Sequence, residues 1–261
     1  MGGAGPSNEP VRVEDRWRIE AEHYDREFAV PAAFDPASFY RSRPWGVRRM
    51  LDRAGEVSGR RVLDVGSGVG LYARYYTWKR AKVVALDVSH RALVGLGRAA
   101  DLSPVQAPAE RLPLRDRSVD CILGAAVLHH VELRLAAPEF RRVLRRGGRC
   151  VFYEPLAYNP LINLFRILTP ERRTPTERPL EWRDLDELRR AFARVDLEFC
   201  HLISLLPQAA NAVLSMLRLP GKRFYRWAQP VETALAPLDR FLFNFAPAVR
   251  RWAQSVVIEC R

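Results

Sequence analysis

Lysine is nearly missing from this chain. Only Lys79, Lys82 and Lys222 occur among 42 basic residues, so arginine carries almost the whole formal net charge of +12. Arginine suits phosphates, carboxylates and anionic surfaces, but it serves equally as solvated surface, and no nucleic-acid-binding motif accompanies it. No DNA partner is expected. Cysteine is scarce too: Cys121, Cys150, Cys200 and Cys260 are widely spaced, with no CxxC pair and no histidine at zinc-ligand spacing. That argues against a disulfide framework and a zinc module, and no metal site is expected. Each cysteine sits in an apolar run of strand character, where it acts as a small buried hydrophobe. No stretch approaches the roughly 20 apolar residues of a membrane-spanning helix. The N-terminal MGGAGPSNEPVRVEDRW lacks the basic-then-apolar pattern of a signal peptide, which points to a cytoplasmic protein with residues 1–10 as a disordered leader.

Between Arg61 and Glu154, β-rich runs alternate with helical stretches: RVLDV, LYARYYTWKR, KVVALD, SHRALVGLGRAAD, VDCILGA, EFRRVLRR and RCVFYE. The alternation predicts an α/β domain, a doubly wound and mostly parallel sheet with helices on both faces. Its strands are continuous apolar runs, as strands covered on both faces require. Gly147 and Gly148 are expected to stop the basic helix that ends in RVLRR. Residues 11–60 read as an N-terminal helical lid. Residues 155–183 are a proline-rich insertion with an apolar start and an arginine-rich end. Arg194–Leu206 reads as a strand and Ser255–Cys260 as the final one. Between them, residues 207–254 read as amphipathic helices broken at Pro220, Pro230 and Pro247.

VLDVGSGVG, at residues 62–70, is a glycine-rich turn between a strand and a helix, which lets backbone approach a ligand and offers helix amides to it. Leu71 stands where the dinucleotide fingerprint needs its third glycine, and no GK[ST] follows, so a nicotinamide cofactor and a Walker loop both fit poorly. Asp64 at the strand end disfavours a pyrophosphate and favours a ligand bearing positive charge, such as an α-ammonium or a sulfonium. S-adenosylmethionine carries both. Asp87, closing the next strand, can accept hydrogen bonds from ribose hydroxyls.

Taken together, VLDVGSGVG, VVALDVS, AERLPLRDRSVDCILGAAVLHHV and FRRVLRRGGRCVFYEP resemble the successive motifs of class I S-adenosylmethionine-dependent methyltransferases, in the branch similar to ubiquinone/menaquinone-biosynthesis enzymes. The likeness covers about residues 60–155. It implies a Rossmann-like seven-stranded sheet with an antiparallel last strand, a methyltransferase domain over residues 61–261, and cap insertions at about 155–183 and 207–254. S-adenosylmethionine is the implied cofactor. Gly66, Gly68 and Gly70 would form its loop, Asp64 would support the ammonium, and Asp87 with Val88 would hold ribose and adenine. Ala109 would offer its amide to the adenine edge, and Ala125 would line the methionyl side. Pro108 stands where relatives often place an acid for the adenine amino group, which leaves adenine to be held by shape and backbone or by Glu110. AEHYDRE resembles the helix that covers the cofactor, making Tyr24 a candidate lid residue.

Methyl transfer demands alignment more than acid–base chemistry, and a general base is optional. The candidate catalytic residues are His129 and His130 beyond the fourth strand, and Glu154 at the end of the fifth, which could bind substrate, pair with a histidine, or salt-bridge a cap arginine. Tyr158 and Asn159 follow it closely, and His201 reads as a core histidine in mid-strand. The apolar NPLINLFRILTP together with Arg172, Arg173 and Arg178 suits an amphiphilic substrate. The expected acceptor is a small lipophilic or amphiphilic metabolite of quinone, isoprenoid, polyketide or lipid-linked type, methylated at oxygen or carbon. A non-catalytic binding or scaffold protein and an RNA methyltransferase are the alternatives. LPGKRFYRWAQPV and DRFLFNFAPAVRRWAQ interleave aromatic and basic residues, as helices lying on an anionic membrane do; a dimer contact or packing against the parent domain is the alternative.

Overall fold

Alternate residues of the central strands face two different cores. The computed structural model describes residues 12–27, 34–96, 100–169, 174, 176–210 and 222–261, with the side chains of 222–227 outside the description. Leu63, Ile122 and Phe152 pack into one apolar cluster with Phe140, Leu185 and Leu188; their strand neighbours Val62, Leu123 and Val151 pack into the other with Met50 and Tyr76. Both faces are buried, which is why these strands carry no polar alternation.

The strands are β1 (Arg61–Val65), β2 (Lys82–Asp87), β3 (Leu102–Gln106), β4 (Val119–Ala125), β5 (Leu144–Pro155), β6 (Val195–Cys200) and β7 (Ser255–Cys260). They form one sheet in the order β3-β2-β1-β4-β5-β7-β6. Pairs from β3 to β5 are parallel, and β7 runs antiparallel to both β5 and β6. Chain order reverses beside β1, so a crevice opens at the carboxyl ends of β1, β2 and β4. The four cysteines lie in β4, β5, β6 and β7, free and buried.

The helices are α1 (Val13–Glu27), α2 (Pro36–Arg41), α3 (Trp45–Arg53), α4 (Leu71–Trp78), α5 (His90–Leu96), α6 (Leu133–Val143), α7 (Pro160–Leu168), α8 (Trp182–Ala191) and α9 (Lys222–Phe245). Of the region expected as a lid, α3 belongs to the core, with Trp45, Met50 and Leu51 buried. Arg49 and Arg53 tie it to Glu198 of β6, and Arg53 also pairs with Glu259 of β7. Part of the arginine surplus is therefore structural.

Three local readings need correction, and one strand, β3, has no counterpart among the sequence runs. Helix α6 ends at Val143 and β5 starts at Leu144, before the glycine pair, because Leu144 already pairs with Val119 of β4. The run from Arg194 is a strand only to Cys200; His201 follows with φ 61°, and the amides of Leu202, Ile203 and Ser204 turn onto the Asp239 carboxylate. Helix α9 continues through Pro230 and Pro237. Each proline removes a helix hydrogen bond, but Glu232 accepts the Trp45 N–H and Asp239 binds the 202–204 turn, so tertiary contacts hold the helix across the breaks. Strand β3 contains Pro104, which weakens its signal and is tolerated because β3 is an edge strand. Residues 1–10, Arg172, Arg173 and Pro220 lie outside the described residues. Among the described residues, no helix is long and apolar enough to cross a membrane.

Candidate active site

The loop after β1 owes its shape to three glycines. Gly66 has φ 65°, and a Cβ there would meet Val127 Cγ2 at 2.6 Å, so no side chain fits. Gly70 caps α4 in a left-handed conformation where a Cβ would collide with Leu96, a helix-starting role. Gly68 donates its N–H to Asp87 Oδ2 at 2.7 Å, while Ser89 N–H donates to Asp87 Oδ1 at 2.8 Å. Asp87 thus locks the first loop to the second and keeps lone pairs directed outward.

These loops border a cavity of about 270 Å³. Gly66, Gly68, Asp87, Val88, Ala109, Glu110, Ala125, Tyr24 and His130 all line it; Asp64, Gly70, His129 and Glu154 do not. Asp64 lies beneath the lining, 1% exposed, with Oδ2 bonded to nothing. Burial pushes its carboxyl up to about 8, with the Asp87 charge adding and the Ala73 N–H partly offsetting. Burial likewise raises Asp87 and Glu110. A crevice with two buried acids, one holding an unsatisfied oxygen, and a floor that admits only glycine fits a nucleoside bearing a cationic amino-acid tail.

A pH dependence follows for the free protein. Between the unfolded value near 4 and the folded value of about 8, the native state holds a proton on Asp64 that the unfolded chain has released. Stability therefore falls by about 1.4 kcal/mol per pH unit across that window. Asp64→Asn is expected to flatten the decline, as urea titrations at pH 5 and pH 8 would report. An equal decline in the variant would remove Asp64 as its source.

Sequence reasoning named Tyr24 as a lid residue but missed its partners in the closure over the cavity. Trp17 of α1 lines it and donates its indole N–H to Glu110 Oε2 at 3.0 Å, while Glu110 Oε1 accepts the Glu132 N–H at 2.8 Å. Glu110 is thereby a bridge between α1 and the loop after β4. Tyr24 Oη lies 3.1 Å from His130 Nε2, and Glu20 Oε2 lies 3.1 Å from His130 Nδ1. Glu20 Oε1 accepts from the Thr174 and Thr176 hydroxyls, bringing the 155–183 insertion onto α1. Burial opposes ionisation of Glu20, but His130 and the two threonines hold it below its ordinary value. No local pattern marks these partners: Trp17 and Glu110 are 93 residues apart, and Glu20 and Thr174 are 154 apart.

Glu154 is wholly buried. Its Oε1 accepts the Val127 and Leu128 N–H groups and its Oε2 meets His129 Nδ1, all at 2.8 Å. It pairs with a histidine and shapes the loop after β4, in place of binding substrate or a cap arginine. Ala126 there is left-handed, φ 56°, a conformation costing about 1–3 kcal/mol and sustained by its N–H bond to Tyr153 O. Tyr158 stacks on Trp182, Asn159 caps α7, and Arg178 pairs with Asp184, so none of the three is presented to the cavity. His201 is a buried core histidine, pushed down to about 3 by burial.

The model of a methyltransferase domain family matches residues 63–152. Demethylmenaquinone methyltransferase of Renibacterium salmoninarum is 37% identical over 46% of this chain and 51% of its own length. The enzyme of that name from Paenarthrobacter aurescens is 34% identical over 66% of this chain and 65% of its own. The chain spans about half the length of the first of these relatives. Phosphoethanolamine N-methyltransferase 2 of Haemonchus contortus, solved with S-adenosylhomocysteine, superposes with a TM-score of 0.56 at 14% identity, over 96% of this chain and 59% of that one. At that identity the likeness is one of fold.

Proposed function

We propose, from the premise that this chain carries a class I methyltransferase domain across residues 63–152, that it moves a methyl group from S-adenosylmethionine to oxygen or carbon of a small lipophilic metabolite. The demethylmenaquinone relatives favour a quinone-type ring. The observation that carries the reading is the cavity in which Asp87, held by Gly68 and Ser89, faces Ala109 and Ala125 above buried Asp64. Asp64 balances positive charge, Asp87 accepts ribose hydroxyls, and Val88 and Ala109 wall the base. The bound nucleoside supplies a methyl carbon already activated by its sulfonium. The protein's contribution is then alignment, for which effective molarities correspond to roughly 7–11 kcal/mol. His130 lines the cavity and is the imidazole placed to take an acceptor proton, with Glu20 beside its Nδ1. His129 is a positioning group behind it.

Calorimetric titration with S-adenosylmethionine and S-adenosylhomocysteine, with NADH as control, tests the reading. Micromolar binding of both nucleosides and none of NADH is expected. Binding of NADH alone, or of nothing, would overturn it, and nucleoside binding with no methylation of any lipophilic acceptor would favour a scaffold.

Acceptor supply from a lipid surface is part of this reading. On α7, Leu164, Ile167 and Leu168 are exposed, Ile167 at 75%. Asn159, which caps α7, donates its side-chain N–H to Trp252 O, so α7 adjoins the 3-10 turn Pro247–Trp252 with Arg250 and Arg251. Phe241 and Phe245 stack exposed nearby in sequence. Apolar residues rimmed by arginine suit an anionic interface. Co-sedimentation with phosphatidylserine vesicles at low salt is expected, weakened several-fold by Ile167→Glu. Absence of co-sedimentation would remove the membrane from this reading.

A further inference from the structure

His129, His130 and Glu177 converge beside the cavity. One ligating atom from each lies within 4.8 Å of the others. Glu177 comes from the 155–183 insertion, and tertiary contacts hold it there: Arg178 N–H donates to His129 O, and Thr174 and Thr176 bind Glu20. His129 Nδ1 is committed to Glu154, which is itself fixed by two backbone amides, so Nε2 is the nitrogen with a free lone pair. A carboxylate behind an imidazole is the support that orients metal-ligating histidines. Beside them, His130 Nδ1 and Glu20 Oε2 are both buried and 3.1 Å apart without the alignment of a hydrogen bond.

We propose that His129, His130 and Glu177 bind a divalent transition-metal ion of the zinc, cobalt or iron(II) type. Two imidazoles and one carboxylate suit these ions, whereas magnesium and calcium prefer all-oxygen sites. Tetrahedral ligation at about 2.0–2.1 Å brings ligand atoms to about 3.3 Å from one another, so the half-buried Glu177 side chain closes onto the histidine pair. Three protein ligands leave a position open. Since His130 lines the cavity, an acceptor oxygen can fill it. Binding of the ion stands on this geometry. Its task, lowering the pKa of an acceptor hydroxyl so that the proton departs to water and not to His130, rests on the methyltransferase reading.

Titration of the full chain with Co²⁺, followed by visible absorption, needs no substrate. A single saturable site with a four- or five-coordinate spectrum is expected. Affinity should fall roughly tenfold or more in His129→Ala and in Glu177→Gln, and stay unchanged in Glu187→Gln, whose carboxylate pairs with Arg190 on α8. Glu177 lies on a loop, so its variant keeps the test open where His129→Ala fails to fold, as thermal melts would reveal. An unchanged spectrum and affinity in Glu177→Gln overturns the site. S-adenosylhomocysteine titration of the same samples separates the two readings: nucleoside binding without Co²⁺ uptake overturns the ion alone, and Co²⁺ uptake without nucleoside binding supports the ion while overturning the methyltransferase reading.

Discussion

Asp87→Ala is expected to lower affinity for S-adenosylhomocysteine by more than 100-fold. Two ribose hydroxyls lose a charged acceptor worth roughly 1.5–3 kcal/mol each, and a factor of ten corresponds to about 1.4 kcal/mol. The loss is enlarged by the free protein. Gly68 and Ser89 both donate backbone N–H groups to this carboxylate inside a site where Asp87 is 7% exposed. Each orphaned amide costs about 1–3 kcal/mol, so the glycine loop loosens as well as losing its ribose acceptor. Asp87→Asn keeps the shape and one acceptor oxygen, and should fall between the parent and the alanine variant. Asp101→Ala, at an exposed turn before β3, should leave affinity unchanged. Calorimetry on the four proteins checks the order, and an Asp87→Ala affinity within threefold of the parent would remove Asp87 from the cofactor site.

Glu154→Ala is expected to cost roughly 3–5 kcal/mol of folding stability, the range for removing one partner of a buried charged cluster. Three donors converge on this one carboxylate: the amides of Val127 and Leu128 and Nδ1 of His129. None can turn to water, because Glu154 is wholly buried. At about 2–4 °C per kcal/mol for a chain of this size, the melting temperature should drop by about 6–20 °C. Glu154→Gln keeps one oxygen for the two amides but sets an N–H against the imidazole, so its fold should survive with His129 reoriented. A Glu154→Gln protein that melts close to the parent yet methylates far more slowly would assign Glu154 to positioning. Equal loss of stability and activity in both variants would make it a purely structural residue.

Much of this site was legible along the chain because its backbone parts are local. A strand, a tight glycine turn and a helix must follow one another within a few residues, so Gly66, Gly68 and Asp87 stand out by spacing, while Val88, Ala109 and Ala125 come from the family resemblance alone; all six line the cavity. The histidine pair was visible as a pair, but which ring faces the cavity was not. His129 came first by its place after β4, and the 3-10 turn Leu128–His130 rotates it toward Glu154 and brings His130 to the wall. Glu110 was one of two alternatives for holding adenine; it lines the cavity, and the structure adds its bonds from the Trp17 indole and the Glu132 N–H. The helix boundaries near Gly147 and Pro230 were misplaced because strand pairing and buried acids outweighed the residues that usually stop a helix.

Apolar periodicity and turn chemistry determined, from sequence alone, that this chain would wind a parallel sheet under helices, with a glycine loop after the first strand and Asp87 at the crevice. Both act between neighbours in the chain. Only the tertiary structure decided what closes over that crevice: Glu20, Thr174, Thr176 and Glu177 come from segments far apart, and no residue pattern encodes their meeting. Their contacts depend on how α1 and the 174–180 segment pack on the finished sheet. That packing is a long-range outcome of burial, so it becomes visible only once the core has formed.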